Sequence, residues 1–273
     1  MKTRNILITL GLVLMIAACA TNPFTGKKTL ALVSNDQLFP MAFQQYDQFL
    51  AENPVVTNTS EAQMITRIGQ KIATASERWL TANGYAGYLK DYQWEYNLVK
   101  DSAVNAWCMP GGKIVFYTGI LPIAKNEAGI AAVMGHEVAH ALANHGAQRM
   151  SAGQLQQIAG VAGAVAVGGK SQETQQIFAT AFGLGSQLGV MLPFSRSHET
   201  EADRIGLTLM AIAGYDPAEA PELWKRMKAA SGGQSPPEFM STHPHPDTRI
   251  QNLTAWIPEA KAEAKKYGVT SFQ

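Results

Sequence analysis

The segment Val133–His140 constrains this chain more than any other, because it contains the pattern H-E-x-x-H. His136 and His140 are four residues apart, so on a helix they lie on one face, one turn apart, and can bind the same metal ion. Glu137 directly follows the first histidine, beside the open side of such a metal, where its carboxylate could deprotonate a bound water. The pattern therefore predicts a zinc site with Glu137 as the base.

The residues around this pattern favour a buried helix. Asn126 and Glu127 supply an N-cap and an acidic first turn, and apolar residues then fill most positions up to Leu142. Two histidines and a glutamate are expensive to bury in such a helix without partners. This cost favours metal binding over histidines that merely find hydrogen bonds in a core.

The N-terminal residues are typical of an exported lipoprotein. Lys2 and Arg4 precede an apolar stretch at 6–15 that is too short to span a bilayer, which takes about 20 residues. Residues 16–19 then read I-A-A-C, as in a bacterial lipobox, where Cys19 is acylated and becomes the first residue. The alternative is an ordinary cleaved signal that happens to contain a cysteine.

Charge and cysteine content argue against a nucleic-acid partner and against an internal disulfide. The formal net charge is +1 with no basic cluster, so the sequence predicts no nucleic-acid partner. The chain has 2 cysteines, and acylation of Cys19 would leave Cys108 without a partner for an internal disulfide.

Helices and a small sheet are expected on both sides of the zinc helix. Helical spacing of apolar residues predicts helices over 36–50 and 61–80, whereas a period of two over 92–117 predicts a small antiparallel sheet. The edge of this sheet could bind an extended peptide, or the sheet could only support the zinc helix. The Gly- and Ala-rich residues 151–192 predict two helices packed through small residues, with contact to a bilayer surface as the alternative.

Two histidines leave the predicted site incomplete, because catalytic zinc usually has three protein ligands and an open position. A third histidine in the pattern H-E-x-x-H-x-x-G-x-x-H is excluded, since Gly146 stands at that position. His145 is five residues past His140 and is rotated off the shared face, so we expect it to support the site.

A glutamate from a second helix is the better candidate for the third ligand. Glu199 and Glu201 would lie about 200° apart on a helix, so only one of them can face the metal. Glu199 has Asp203 four residues further on, placed to accept the free ring N–H of a ligand histidine. Glu201 has Ile205 at that position. The pattern therefore indicates Glu199, and leaves Glu201 on a solvated helix face.

Several motifs match one known family over roughly Asn35–Trp256. They are H-E-V-A-H at 136–140, E-T-E-A-D at 199–203, V-N-A-W at 104–107, P-G-G at 110–112, F-S-R at 194–196, S-T-H-P at 241–244 and Arg249. Together they resemble the zinc metallopeptidase family of HtpX, the CaaX prenyl endopeptidases and the mitochondrial inner-membrane Oma-type proteases. Without spanning helices, the chain resembles the short bacterial lipoprotein members of that family.

The resemblance implies an α+β, predominantly helical domain of the glutamate-zincin type, with a small antiparallel sheet beside the zinc helix. It implies one Zn²⁺ per chain, held by His136, His140 and Glu199, and a zinc-dependent endopeptidase in which Glu137 is the general base. The implied substrates are misfolded or misassembled polypeptides of the envelope. The alternative is a chaperone-like or scaffolding envelope lipoprotein whose zinc site is structural.

The expected organisation has three parts: a lipoprotein signal peptide at 1–18, a lipidated tether and N-terminal arm at 19–34, and a zinc metallopeptidase domain at 35–273. Ala20 next to the acylated Cys19 favours the outer membrane over the inner one. We therefore expect a protein of the bacterial cell envelope, lipid-anchored at the periplasmic face of the outer membrane.

His243 occupies the family's matching position in a Pro-rich loop that fixes where a side chain points. It is predicted in the active cleft, either donating a hydrogen bond to the oxyanion or closing the fourth zinc position in a latent enzyme. The alternative is an anchor for the C-terminal helix through Asp247 or Arg249. His245 is expected to face solvent.

Asn105 and Ala106 are the predicted substrate-binding residues. Peptide cleavage needs the scissile bond held in register, and a sheet edge facing the zinc could do this through the peptide backbone. We therefore expect both residues at such an edge.

Overall fold

The computed structural model describes residues 19–172, 174–176, 192–230, 238–243 and 246–273. The predicted signal peptide, most of the lipobox, the predicted position of His245 and residues 177–191 of the Gly- and Ala-rich segment lie outside these ranges. The described helices are α1 (Asn35–Glu52), α2 (Ser60–Ala82), α3 (Leu121–Ala124), α4 (Glu127–Leu142), α5 (His145–Val167), α6 (Leu192–Ile212), α7 (Glu219–Ala230), α8 (Glu238–Thr242) and α9 (Pro246–Lys266). The described strands are β1 (Cys19–Thr21), β2 (Lys28–Leu30), β3 (Val55–Val56), β4 (Glu95–Val99), β5 (Ala106–Met109) and β6 (Lys113–Tyr117).

Local sequence signals set the ends of the first helices and of the zinc helix. Asn126 caps α4, because its Oδ1 accepts a hydrogen bond from the Gly129 N–H at 2.7 Å. Thr59 caps α2 in the same way, and Asn53 and Asn83 are the C-caps of α1 and α2. The predicted helices over 36–50 and 61–80 and the cap of the zinc helix are therefore confirmed.

The sheet beside α4 has the strand order β3-β4-β6-β5. Its β3–β4 and β5–β6 pairs are antiparallel, but β4 and β6 are parallel. The predicted fold class is confirmed with one correction, since the sheet is mixed. After β4 the chain crosses to the far edge before it turns back through Gly111 and Gly112, both at positive φ, so the hairpin places β6 rather than β5 beside β4.

The core surrounds α4, which is buried at every position from Ala128 to Leu142. This helix packs against α2, α6, α7 and β5, and it crosses α6 where Gly135 and Gly206 meet. A Cβ built on Gly206 would lie 2.7 Å from the Gly135 carbonyl carbon. Only two glycines allow the helix backbones to approach this closely.

The N-terminal residues form a hairpin that packs on the helices. β1 and β2 pair antiparallel, and Phe24 between them stacks on Trp79 of α2 with ring centroids 4.3 Å apart. Glu201 of α6 accepts hydrogen bonds from Asn22 and from Thr25, the latter at 3.2 Å. The expectation that Glu201 is solvated is wrong, because its side chain is only 9% exposed. Within the arm predicted at 19–34, Asn22 and Phe24 thus pack against the helices.

Residues 151–167 of the Gly- and Ala-rich segment belong to α5, which begins at His145, before the predicted start at Ser151. Within the part of the chain that the structure describes, no helix combines the length and apolarity needed to cross a bilayer.

Candidate metal centre

Three predicted ligands converge at the crossing of α4 and α6. His136 Nε2 lies 3.0 Å from His140 Nε2 and 3.3 Å from Glu199 Oε2, and His140 Nε2 lies 3.4 Å from Glu199 Oε1. Ligand atoms at about 2.0–2.1 Å from a tetrahedral zinc are about 3.3 Å apart, so this spacing fits the ion. Two imidazoles and one carboxylate are also a donor set that zinc prefers.

His243 is a fourth donor in the same group. It follows α8, where its N–H donates to the carbonyl of Phe239 at 2.9 Å. Its Nδ1 is 2.7 Å from Glu199 Oε2 and 3.1 Å from His136 Nε2. The candidate ligand atoms of all four residues lie within 4.8 Å of one another, so the group can hold a metal ion. The structure thus places His243 in the cleft, as the sequence predicts, and its role there stays a prediction.

Glu137 lies beside this group without belonging to it. The residue is 4% exposed, and its Oε1 accepts no hydrogen bond from the described residues. His243 Nε2 is 3.4 Å from that oxygen. Burial raises the pKa of the Glu137 carboxyl above its usual range. A buried carboxylate with an unpartnered oxygen and a raised pKa is suited to exchanging protons with a molecule bound in the site.

Asp203 orients the first histidine from one turn below Glu199 on α6. Its Oδ1 is 3.0 Å from His136 Nδ1, the nitrogen that faces away from the ligand group. Burial alone would raise the pKa of this carboxyl, but the Arg249 guanidinium and the His136 ring hold it below its usual range. A carboxylate on the outer nitrogen of a ligand histidine is a common support in zinc sites. Asp203 therefore lies where the sequence places it.

Arg249 is the site residue whose contribution the sequence did not reveal. This side chain of α9 is 3% exposed and donates from Nε to Asp203 Oδ2 at 2.7 Å and from Nη2 to Asp203 Oδ1. Its Nη1 also reaches Glu199 Oε2 at 3.2 Å and the carbonyl of His243 at 3.3 Å. One buried guanidinium thus holds Glu199 and Asp203 of α6 and the backbone of the His243 loop. The sequence signal for Arg249 was its match to the same family motif as S-T-H-P at 241–244, which contains His243.

Histidines support the second ligand in place of a carboxylate. Asn144, at φ 55, turns the chain from α4 into α5, and this turn brings His145 Nδ1 to 2.9 Å from His140 Nδ1. His145 stacks on His198 with centroids 4.0 Å apart, and His198 Nε2 lies 3.2 Å from Gln148 Oε1. The sequence predicted that His145 supports the site, and the structure places its ring beside the ring of His140.

A cleft of about 290 Å³ opens beside the group. Its lining includes Glu137, His140 and His243 together with Asn105 and Ala106. Among the described strands, β5 pairs only with β6, so no described strand covers the other edge of β5. Asn105 and Ala106 thus stand at a sheet edge beside the candidate metal group, and substrate binding by them stays a prediction. Cys108, a free cysteine, lines the same cleft.

Comparison with known proteins agrees with this geometry. The model of Peptidase family M48 matches residues 61–257, which include every candidate ligand. The chain is 40% identical over 176 residues to the mitochondrial metalloendopeptidase OMA1 of Schizosaccharomyces pombe, covering 64% of this chain and 50% of that protein. It is 26% identical over 234 residues to the Beta-barrel assembly-enhancing protease of Escherichia coli K12, covering 84% of this chain and 46% of that protein.

The chain spans about half the length of the curated relatives it matches. The family match covers most of the chain, and it contains the H-E-x-x-H helix, the glutamate helix and the arginine that joins them. This chain belongs to Peptidase family M48.

Proposed function

We propose that the protein is a zinc metalloendopeptidase that cleaves polypeptides at this centre. The observation that carries the proposal is the convergence of His136, His140 and Glu199 beside a buried carboxylate oxygen of Glu137 that accepts no hydrogen bond from the described residues. Zinc held by the three ligands, one ion per chain, would act as a Lewis acid on the scissile carbonyl and lower the pKa of water toward neutrality.

Other side chains of the site transfer the proton and position the metal ligands. Glu137 accepts a proton from the attacking water and returns it to the amine that leaves, a task that suits a carboxyl whose pKa burial has raised. Asp203 and Arg249 hold His136 and Glu199 in place, because their hydrogen bonds fix the ligand ring and the ligand carboxylate.

The free edge of β5 supports extended polypeptides as substrates. Asn105 and Ala106 begin this edge within the cleft, where a peptide could add a strand and be held in register for cleavage. Backbone that is already paired in the sheets and helices of a folded protein cannot add to this edge, so unfolded or misassembled chains suit it best. The relative from Escherichia coli is named for β-barrel assembly, which supports envelope proteins as the source of such substrates.

The lipobox supports a location in the bacterial cell envelope. Acylation of Cys19 would anchor the chain in a membrane, and Ala20 after it favours the periplasmic face of the outer membrane. The protein would therefore meet its substrates at the membrane surface.

One observation favours a second candidate function. His243 brings a fourth protein donor to the group, and structural zinc sites usually have four protein ligands. The protein would then be a scaffolding or chaperone-like lipoprotein with a structural metal. The buried oxygen of Glu137 argues against this candidate, because it has no partner in such a site. A latent peptidase, closed by His243, accounts for both features.

Degradation of unfolded casein by the purified, zinc-loaded protein tests the proposal. We expect cleavage that a chelator abolishes and added zinc restores, with Glu137→Gln as the inactive, zinc-binding control. The His243→Ala variant is assayed in parallel, so that a latent form is not mistaken for a scaffold. If neither the wild type nor His243→Ala cleaves casein, and each is shown to contain zinc, the protein is a scaffolding or chaperone-like lipoprotein instead.

A further inference from the structure

Helix α5 carries an apolar face that the other described residues leave uncovered. Leu155, Ile158, Val161 and Val165 are 45%, 62%, 67% and 76% exposed. At about 100° per residue, these four side chains fall within an arc of about 120° on the helix surface. A continuous stripe of large aliphatic side chains on the surface of a folded domain marks a contact with a protein or a membrane.

The charges around the stripe match a phospholipid surface. No residue from Ser151 to Gly169 is charged, so the stripe and the helix surface around it are neutral over its whole length. Exposed Lys170 follows the neutral stretch, whereas Arg149 before it lies on the opposite side of α5 and pairs with Glu199 Oε1 at 3.6 Å. Aliphatic side chains suit the boundary of the acyl chains, and a cation at the end of the stripe suits anionic headgroups.

The position of the N-terminal hairpin brings the stripe next to the proposed lipid anchor. Cys19 pairs with Leu30 in the β1–β2 ladder. Two residues later, the N–H of Leu32 donates to Ser151 Oγ of α5 at 2.9 Å, one turn before Leu155. Leu32 is itself 38% exposed. The backbone of Cys19 is therefore only one strand away from the start of the apolar face.

The hairpin also limits how far the domain can move from an anchor at Cys19. Only two residues separate Cys19 from Asn22, which is 3% exposed and donates to Glu201 of α6. A chain of three residues reaches about 10 Å at most. A domain held this closely to a bilayer must present the face around β1, β2 and α5 to it.

We propose that the apolar face of α5 docks on the phospholipid surface in which Cys19 is anchored. This inference rests on the lipid anchoring that belongs to the proposed function. Docking would fix the orientation of the cleft at the membrane, because α5 begins at His145, which contacts the ligand His140.

Photo-crosslinking of the full, acylated protein in vesicles of phosphatidylethanolamine and phosphatidylglycerol tests the inference. The photoreactive residue is introduced as Val161→benzoylphenylalanine, with Glu222→benzoylphenylalanine as the control. Glu222 is exposed on α7, which contacts Asn126 at the start of α4, whereas α5 follows the other end of α4, about 24 Å away. We expect a mass increase of one phospholipid at position 161 and none at 222.

A second pair of variants separates the apolar face from the lipid anchor. Leu155→Gln, Ile158→Gln and Val165→Gln together should abolish the lipid adduct at 161 while the protein still floats with the vesicles. Met41→Gln, which replaces a side chain of matched exposure (44%) on α1, should leave the adduct unchanged.

Each contrary result overturns the inference in a recognisable way. If the protein floats without a lipid adduct at 161, or forms adducts equally at 161 and 222, the face does not dock and the anchor stands. A crosslink from 161 to a second copy of the chain would make the face a subunit contact. If the protein does not float with the vesicles, the lipid anchor in the proposed function is wrong, and so is the docking that rests on it.

Discussion

The backbone of Gly206 in α6 lies directly against the backbone of Gly135 in α4. A Cβ on Gly206 would be 2.7 Å from both the Gly135 carbonyl carbon and the His136 nitrogen, closer than real Cβ atoms approach. Because Glu199 and Asp203 occupy the two turns of α6 that precede Gly206, this contact sets their distance from His136. The metal group thus depends on two residues that contribute no side chain to it.

Gly206→Ala should separate the two helices and weaken metal binding. We expect a loss of about 1–3 kcal/mol in the free energy of unfolding, as for other overpacked cores, together with a lower zinc affinity. Denaturant unfolding and zinc titration measure the two effects. Gly153→Ala is the control, since a Cβ there meets nothing within 4 Å on a helix, and it should be neutral or slightly stabilising. Unchanged zinc affinity in Gly206→Ala would show that the close crossing is not needed for the site.

Glu137→Gln should retain zinc and fold while losing hydrolysis by about 10²–10⁴-fold, because the base is separate from the three ligands. Metal content and casein cleavage, measured on one preparation, decide this. Loss of zinc in the variant would make Glu137 a ligand instead.

His243→Ala should raise casein cleavage. In this structure the imidazole lies among the ligand atoms, where an incoming substrate needs an open position. Cleavage by the variant should remain sensitive to a chelator. A sharp fall in turnover would instead assign His243 to the oxyanion.

Arg249→Lys should weaken zinc binding by about 10- to 100-fold, the usual effect of losing an outer partner of a metal ligand. A lysine keeps the charge but cannot bridge Asp203, Glu199 and the His243 carbonyl with one planar fork. Competition with a chelator gives the affinity. Arg204→Lys is the matched control, because Arg204 pairs with Glu259 at the surface, where both side chains are more than half exposed. Equal effects of the two variants would contradict the bridging role.

Cys19→Ser should abolish acylation, leaving the precursor uncleaved or the protein unanchored. Mass spectrometry of the N-terminal peptide and membrane fractionation test this expectation. A variant that still fractionates with the outer membrane would show that something other than lipid holds the protein there.

The sequence by itself determined the features that depend on neighbours along the chain. Asn126 before an apolar run predicted the cap of α4, and the four-residue spacing of His136 and His140 predicted their common face, because helix geometry alone relates such residues. The spacing of Glu199 and Asp203 selected one of two glutamates for the same reason. Their chemistry, two imidazoles with carboxylates, indicated the metal.

Only the tertiary structure decided how separate segments meet. The parallel pairing of β4 with β6 depends on where the chain crosses the sheet, which a period of two does not encode. Arg249 lies 46 residues after Asp203, so no local period relates the two, and their contact exists because α9 packs on α6. The helix pattern predicted a solvated Glu201, but the N-terminal hairpin, which is distant in sequence, covers its side chain. Contacts between distant segments follow from packing of the whole chain, and local patterns do not carry that information.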